Sequence, residues 1–336
     1  MKLSILDQSP IAKGKTAKEA LEASLQLAKT ADELGYYRYW IAEHHDLPGL
    51  ASSSPEIMMS YIASQTSTIR IGSGALLLPN YKPFKVAENF HLLSTLFPGR
   101  IDLGIGRAPG ASAEASIALA GNYLQAVKEW PQSIDTLLAF LNDHHPEDHL
   151  FRKVKASPIP PIKPEVWMLG TSHKSASLAA EKGLHYCFGQ FMSEANGKEV
   201  IDLFKEKRKN VQQNMMLTVS VICAETDEKA EEIATSVLLW HLQSDDGEKQ
   251  EVPSVEEAIK HSYFIAKQEK VAKMKERMII GNPEKVKRDL LSLTDQYGID
   301  EVMIVTITHD YDDRLKSYKL LADMFNKPVF RDIKGM

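Results

Sequence analysis

The chain of 336 residues has only two cysteines, no long basic run, no long uncharged apolar stretch, no internal repeat and no low-complexity tract. Each absence excludes a class of protein. Cys187 and Cys223 lie inside apolar runs that read as strands and lack metal-ligand spacing, so a disulfide-framed secreted scaffold and a cysteine-bound metal are set aside in favour of two buried, reduced thiols of a cytosolic protein. With 40 basic residues against 45 acidic ones, a formal charge of −5 and no basic cluster, neither nucleic acid nor an anionic membrane surface is an expected partner. An acidic residue, Asp7, interrupts the amino terminus before a signal-peptide core can form, and nothing later is apolar enough to span a bilayer. A soluble cytoplasmic protein that holds small neutral or anionic ligands in a pocket is the class left standing.

What is present is an alternation of short β-branched runs with longer segments of helical period, the pattern of repeated βα units around a parallel sheet. The pattern predicts eight strands: Leu3–Gln8, Arg38–Ala42, Ile69–Leu78, Ile101–Gly106, Glu165–Gly170, His185–Gly189, Leu217–Ala224 and Glu301–Ile307. Helix starts are marked by Thr16, by Ser54-Pro55-Glu56, by Pro83 and by Asn282-Pro283-Glu284, and Gly35, Gly183 and Gly298 stand where helices end. Near-continuous apolar strands flanked by helices imply a sheet buried on both faces, and eight such units close most simply into one α/β domain, a (β/α)8 TIM barrel spanning residues 1–336. An open doubly wound sheet is the alternative. It is disfavoured because Gly104-Ile105-Gly106-Arg107-Ala108-Pro109-Gly110 follows the fourth strand, not the first, and has proline where the dinucleotide fingerprint needs its third glycine. The polar segment from about His241 to Gly281 is an insertion after the seventh strand, read as a lid over the barrel mouth.

The active site of such a barrel lies at the carboxyl ends of its strands. Polar residues there are Gln8 and Ser9, Glu43-His44-His45, Ser73-Gly74-Ala75, Arg107, Thr171-Ser172, Gln190, Glu225 and Thr308-His309. Arg107 is the most informative. A fixed guanidinium just past two strand glycines suits a ligand that joins a phosphate to a planar ring, as flavin mononucleotide does, although pairing with a surface carboxylate would also account for it. Thr171, Ser172 and Ser175 stand at a helix start on the neighbouring strand, where amides and hydroxyls stabilise an anion, and ordinary helix capping is the alternative. Glu43-His44-His45-Asp46 does not favour a metal, because adjacent residues of an extended strand point to opposite faces and no third ligand is evident. One histidine is expected at the barrel mouth and the other in a structural bond. His144, His145 and His149 read as a solvated loop.

Taken together, Ala42-Glu43-His44-His45, Ser73-Gly74-Ala75-Leu76-Leu77-Leu78-Pro79, Pro98-Gly99-Arg100-Ile101-Asp102-Leu103-Gly104-Ile105-Gly106-Arg107-Ala108-Pro109-Gly110 and Trp167-Met168-Leu169-Gly170-Thr171-Ser172 resemble the bacterial-luciferase-like flavin monooxygenases from about Leu3 to Met324. The resemblance implies a barrel that binds reduced FMN supplied by a separate reductase, activates O2 at flavin C4a and oxidises a small organic substrate. It implies a catalytic His44 and a phosphate site of Arg107, Thr171, Ser172 and Ser175. Ser73, Gly74, Ala75 and Gly106 would line the flavin, with a non-proline cis peptide between Gly74 and Ala75. Gly106 stands where the light-emitting chain carries cysteine, and Gln190 where many relatives carry histidine, so light emission from an aldehyde is not implied. A deazaflavin-dependent hydride carrier and a non-catalytic flavin-binding protein on the same barrel are the rival functions. Apolar residues of the helices Ile57–Ser67 and Phe84–Leu96 predict a homodimer, and the reductase would be a transient partner.

Overall fold

A computed structural model describes residues 1–247 and 250–325, the side chain of Ile265 excepted. Its strands are β1 (Lys2–Asp7), β2 (Arg38–Ile41), β3 (Arg70–Ser73), β4 (Leu76–Leu77), β5 (Ile101–Gly106), β6 (Glu165–Gly170), β7 (His185–Gly189), β8 (Met215–Cys223), β9 (Met278–Gly281) and β10 (Glu301–Val305). Every ladder is parallel, running β10-β1-β2-β3-β5-β6-β7-β8, and a β8–β10 ladder closes the circle. Closure removes the sheet edges and yields the α/β TIM barrel expected from the alternation.

Two elements differ from the sequence expectation. The third strand is not continuous from Ile69 to Leu78: it breaks at a cis Gly74–Ala75 peptide bond, and its second piece, β4, pairs with β5. The segment from His241 to Gly281, read as a polar insertion over the barrel mouth, contains helices and a further strand that the sequence pattern did not assign. Its first residues continue the helix Asp227–Asp245, three short helices follow between Val255 and Lys275, and β9 then joins the C-terminal half of β8. The inner faces of these helices are buried through Ala258 and Val271. Val252 is buried and its backbone exchanges hydrogen bonds of 2.8 Å with Ile11 and Lys13, which ties this segment to the loop after β1.

The barrel's interior is filled. Leu6, Trp40, Trp167, Cys187, Met216 and Met303 pack as one buried cluster, with Trp40 and Trp167 edge to face at 5.6 Å. The amino-terminal end is closed by charge: Arg38, 2% exposed, donates to Glu301 (2.9 Å), Asp102 (2.7 Å) and Glu165 (2.9 Å), and Asp102 also accepts from Trp40 Nε1 at 2.9 Å. Each buried charge is matched, which is the condition for tolerating it there. A ligand therefore has only the carboxyl end of the strands to enter.

Candidate active site

His44 is positioned by the backbone beyond β2. Ala42 N–H donates to Asp7 O and His44 N–H to Ser52 O, both at 2.9 Å, so the chain is held after the strand formally ends at Ile41. The His44 ring lines a cavity of about 550 Å³ at the barrel mouth, and its Nδ1 is buried with no hydrogen-bond partner among the described residues. Burial, reinforced by neighbouring His45, lowers its pKa from 6.5 to about 4. The ring is thus neutral at pH 7, with one nitrogen able to donate a hydrogen bond and the other to accept one.

His45 points elsewhere. Its Nε2 lies 2.8 Å from Glu43 Oε1, while the second carboxylate oxygen of the buried Glu43 accepts the Leu77 N–H at 2.9 Å. With His45 N–H donating to Gly110 O at 2.7 Å, this pair stitches the end of β2 to β4 and to the loop after β5.

The glycines around the break have separate reasons. A Cβ on Gly104 would sit 2.1 Å from Ser73 O, so the neighbouring strand, and not a flat ligand, demands glycine there, which corrects the reading that both strand glycines admit a ring. Ser73 is fully buried and spends its hydroxyl on Gly104 O at 2.8 Å. Gly74 faces Leu6 and Trp40 in the interior, while at Gly106 a Cβ would approach the Ala75 methyl to 3.0 Å.

Arg107 is exposed and has no ion-pair partner among the described residues; its guanidinium carbon lies 6.0 Å from the Trp130 ring centre, and its carbonyl accepts Tyr123 OH at 2.7 Å. The surface-carboxylate explanation therefore has no support. In the β5–β6 ladder Ile105 pairs with Met168, and the same register continued past the ladder's end brings Arg107 level with Gly170, just ahead of the helix His173–Lys182. Ser172 and Ser175 form a capping box there, Ser175 Oγ also lies 2.9 Å from Tyr186 OH, and Thr171 O accepts Ser193 Oγ at 2.9 Å. Capping occupies these hydroxyls, and the helix end still offers its first-turn amides to an anion.

With an unmatched arginine beside a helix start, a neutral histidine in a mouth cavity and the cis bond between them in the chain, the comparison with known proteins is decisive: the profile of luciferase-like monooxygenases matches residues 1–301. The chain belongs to the luciferase-like monooxygenase family. The N-acetyl-S-alkylcysteine monooxygenase of Bacillus subtilis is 35% identical over 331 residues, covering 96% of this chain and 98% of the relative. The crystal structure of apo-MsnO8 superposes with a TM-score of 0.87 at 35% identity, covering 97% and 99% of the two chains. Two more distant structures share the fold: a 3,6-diketocamphane monooxygenase component of Pseudomonas putida in complex with FMN (TM-score 0.70, 20% identity, 96% of each chain) and an F420-dependent secondary alcohol dehydrogenase (TM-score 0.68, 14% identity, 95% and 97%).

In this luciferase-like monooxygenase the polar strand ends do not all converge. Ser9 is buried against Ser24 and Asp7, Thr308 bonds to Asp310 O, Glu225 pairs with Lys316 outside the barrel, and His309 reaches Lys13 O. Gln8 joins His44 in the cavity, and Gln190 beyond β7 has a buried Oε1 with no partner among the described residues. The segment from His241 to Gly281, read as a cover of the barrel mouth, contributes His241, Arg277 and Met278 to the cavity lining, beside Phe191, Met192 and Trp240, which the sequence reading did not single out; it also did not predict the strand β9 that carries Met278. A signal for it was available: Met278-Ile279-Ile280-Gly281 directly before the helix start at Asn282-Pro283 is a short apolar run of strand type.

Proposed function

We propose that this enzyme is the oxygenase component of a two-component system, taking reduced FMN from a separate reductase and using it with O2 to oxidise a small organic substrate. The observation that carries the reading is Arg107, exposed, unmatched and level with a helix amino terminus, because that arrangement answers the phosphate that distinguishes FMN from riboflavin. The rest of the site fits a flavin too: His44 Nδ1 and Gln190 Oε1 are buried polar atoms left without partners, as groups that meet a ligand's polar edge would be.

When bound, reduced flavin supplies the electrons that activate dioxygen. The protein's own residues do the remainder. Arg107 would hold the phosphate with the backbone amides at Thr171, Ser172 and Ser175, whose serine hydroxyls cap the helix start, and the backbone of Ser73, Gly74, Ala75 and Gly106 would support the ring. His44, neutral at neutral pH, holds or moves a proton at the cavity. Phe191 and Trp240 exclude water from the reacting centre. The relative that oxidises N-acetyl-S-alkylcysteines makes small thioether amino-acid derivatives the first substrates to try.

Supplying FMN, NADH, a flavin reductase and ¹⁸O2 to the enzyme with such thioethers should yield product with one labelled oxygen, read by mass spectrometry. Oxidation that proceeds without label, and only when an oxidised deazaflavin is added in place of FMN as the hydride acceptor, would point to a deazaflavin-dependent dehydrogenase, and tight flavin binding with no turnover of any substrate to a flavin-binding protein.

A further inference from the structure

Arg277 lies in the turn between the helix Gln268–Lys275 and β9. Ser220 of β8 pairs with both Val305 of β10 and Met278 of β9, so β9 occupies the edge of β8 that β7 uses lower down. There β7 stops at Gly189, opposite Thr218, and β9 begins opposite Ser220, so the turn bearing Arg277 caps the end of β7 and faces the mouth cavity.

The charges on that wall do not cancel. Asp245 is matched by Lys270 at 2.8 Å, whereas the ion-pair partner of Arg277 among the described residues is Glu194 at 3.6 Å, a carboxylate 87% exposed. An exposed pair at that distance is worth little and yields readily to a better acceptor. Burial holds both cavity histidines, His44 and His241, below their ordinary pKa, so neither adds charge at pH 7. Among the described residues the cavity thus carries one weakly matched cation. Around it stand Phe191, Met192, Trp240, Met274 and Met278, an apolar and polarizable surface that suits alkyl and sulfur groups.

We propose that Arg277 anchors the carboxylate of the substrate, making this enzyme selective for small monoanions with an apolar or thioether tail. This deepens the monooxygenase reading and rests on it. A guanidinium binds carboxylate and phosphate alike, so the competing source of the anion is the flavin's own phosphate, and the test separates the two.

Calorimetry on the enzyme saturated with oxidised FMN would compare N-acetyl-S-butyl-L-cysteine with its methyl ester, in wild type, Arg277→Gln and Arg277→Lys. The acid should bind wild type about tenfold more tightly than the ester, Arg277→Gln should abolish that preference, and Arg277→Lys should retain part of it. In turnover, Arg277→Gln should raise KM for the acid about tenfold with kcat largely kept. Equal binding of acid and ester by wild type, equal weakening of both in Arg277→Gln, or a loss of FMN affinity without loss of riboflavin affinity would each overturn the proposal. The binding arm needs no turnover, so absence of labelled product would refute the oxygenase reading while the anchor is still read directly.

Discussion

Replacing His44 by asparagine should make the enzyme less sensitive to mild acid. In the unfolded chain a histidine protonates near its ordinary 6.5, while in the native cavity burial delays this to about 4. Between those values the unfolded state holds a proton that the native state lacks, so stability falls as pH falls through the window. Evaluating the two titrations at pH 7 and pH 5 assigns this one ring about 2 kcal/mol of lost stability, and relaxation around the charged ring reduces that to about 1–2 kcal/mol. Asparagine keeps a polar group of similar reach and does not titrate. Urea unfolding of wild type and His44→Asn at both pH values isolates the effect, because every other titrating group contributes equally to both proteins and cancels in the double difference. Wild type should lose about 1–2 kcal/mol more than the variant on going from pH 7 to pH 5. An identical loss in the two proteins would mean that the imidazole is already solvated in the native state, and the neutral-histidine argument would fall with it.

Arg107→Ala should weaken FMN by about tenfold or more and leave riboflavin within a few-fold, since a charge-assisted bond is worth about 1.5–3 kcal/mol; equal weakening of both flavins, measured by fluorescence titration, would refute the phosphate assignment. His44→Ala should lower substrate oxidation by about 10²–10⁴ in steady-state turnover with FMN affinity nearly unchanged, whereas His45→Ala, which removes the imidazole partner of the buried Glu43, should act on thermal stability first. A comparable rate loss in both variants would make the histidine pair structural. For assembly, most apolar residues of the helices Pro55–Ala63 and Pro83–Leu96, including Met59, Ile62, Val86 and Phe90, are buried in the barrel's own core, so the proposed homodimer would rest on what is left exposed: Ile57 (66%), Tyr61 (47%), Leu92 (49%) and Leu96 (58%). Light scattering should give a dimer that Tyr61→Lys with Leu92→Lys dissociates, and a monomeric wild type at micromolar concentration would exclude it.

The sequence by itself determined the parts of this protein that follow from local pattern. Apolar runs at strand length, glycines at φ +75° (Gly183) and +58° (Gly298) closing helices just ahead of strands, and proline-marked helix starts dictate the βα repeat, because each is a property of a few consecutive residues. Arg107 and His44 could be picked out for the same reason: each follows directly on a recognisable strand. Tertiary structure decided the rest. Ser73 looked available and is spent on Gly104, and Gly104 looked like room for a ring and is filled by Ser73 O, since both facts belong to the spacing of β3 and β5, which are 28 residues or more apart in the chain. The segment after the helix Asp227–Asp245 could be read as a cover of the barrel mouth, but Trp240 and Arg277 were not singled out as lining residues, because they reach the cavity only after three helices have packed and β9 has taken the edge of β8 above β7. A chain with period and punctuation can announce its elements; which side chains share one cavity depends on how distant segments dock, and that is settled by burial and closure of the barrel as a whole.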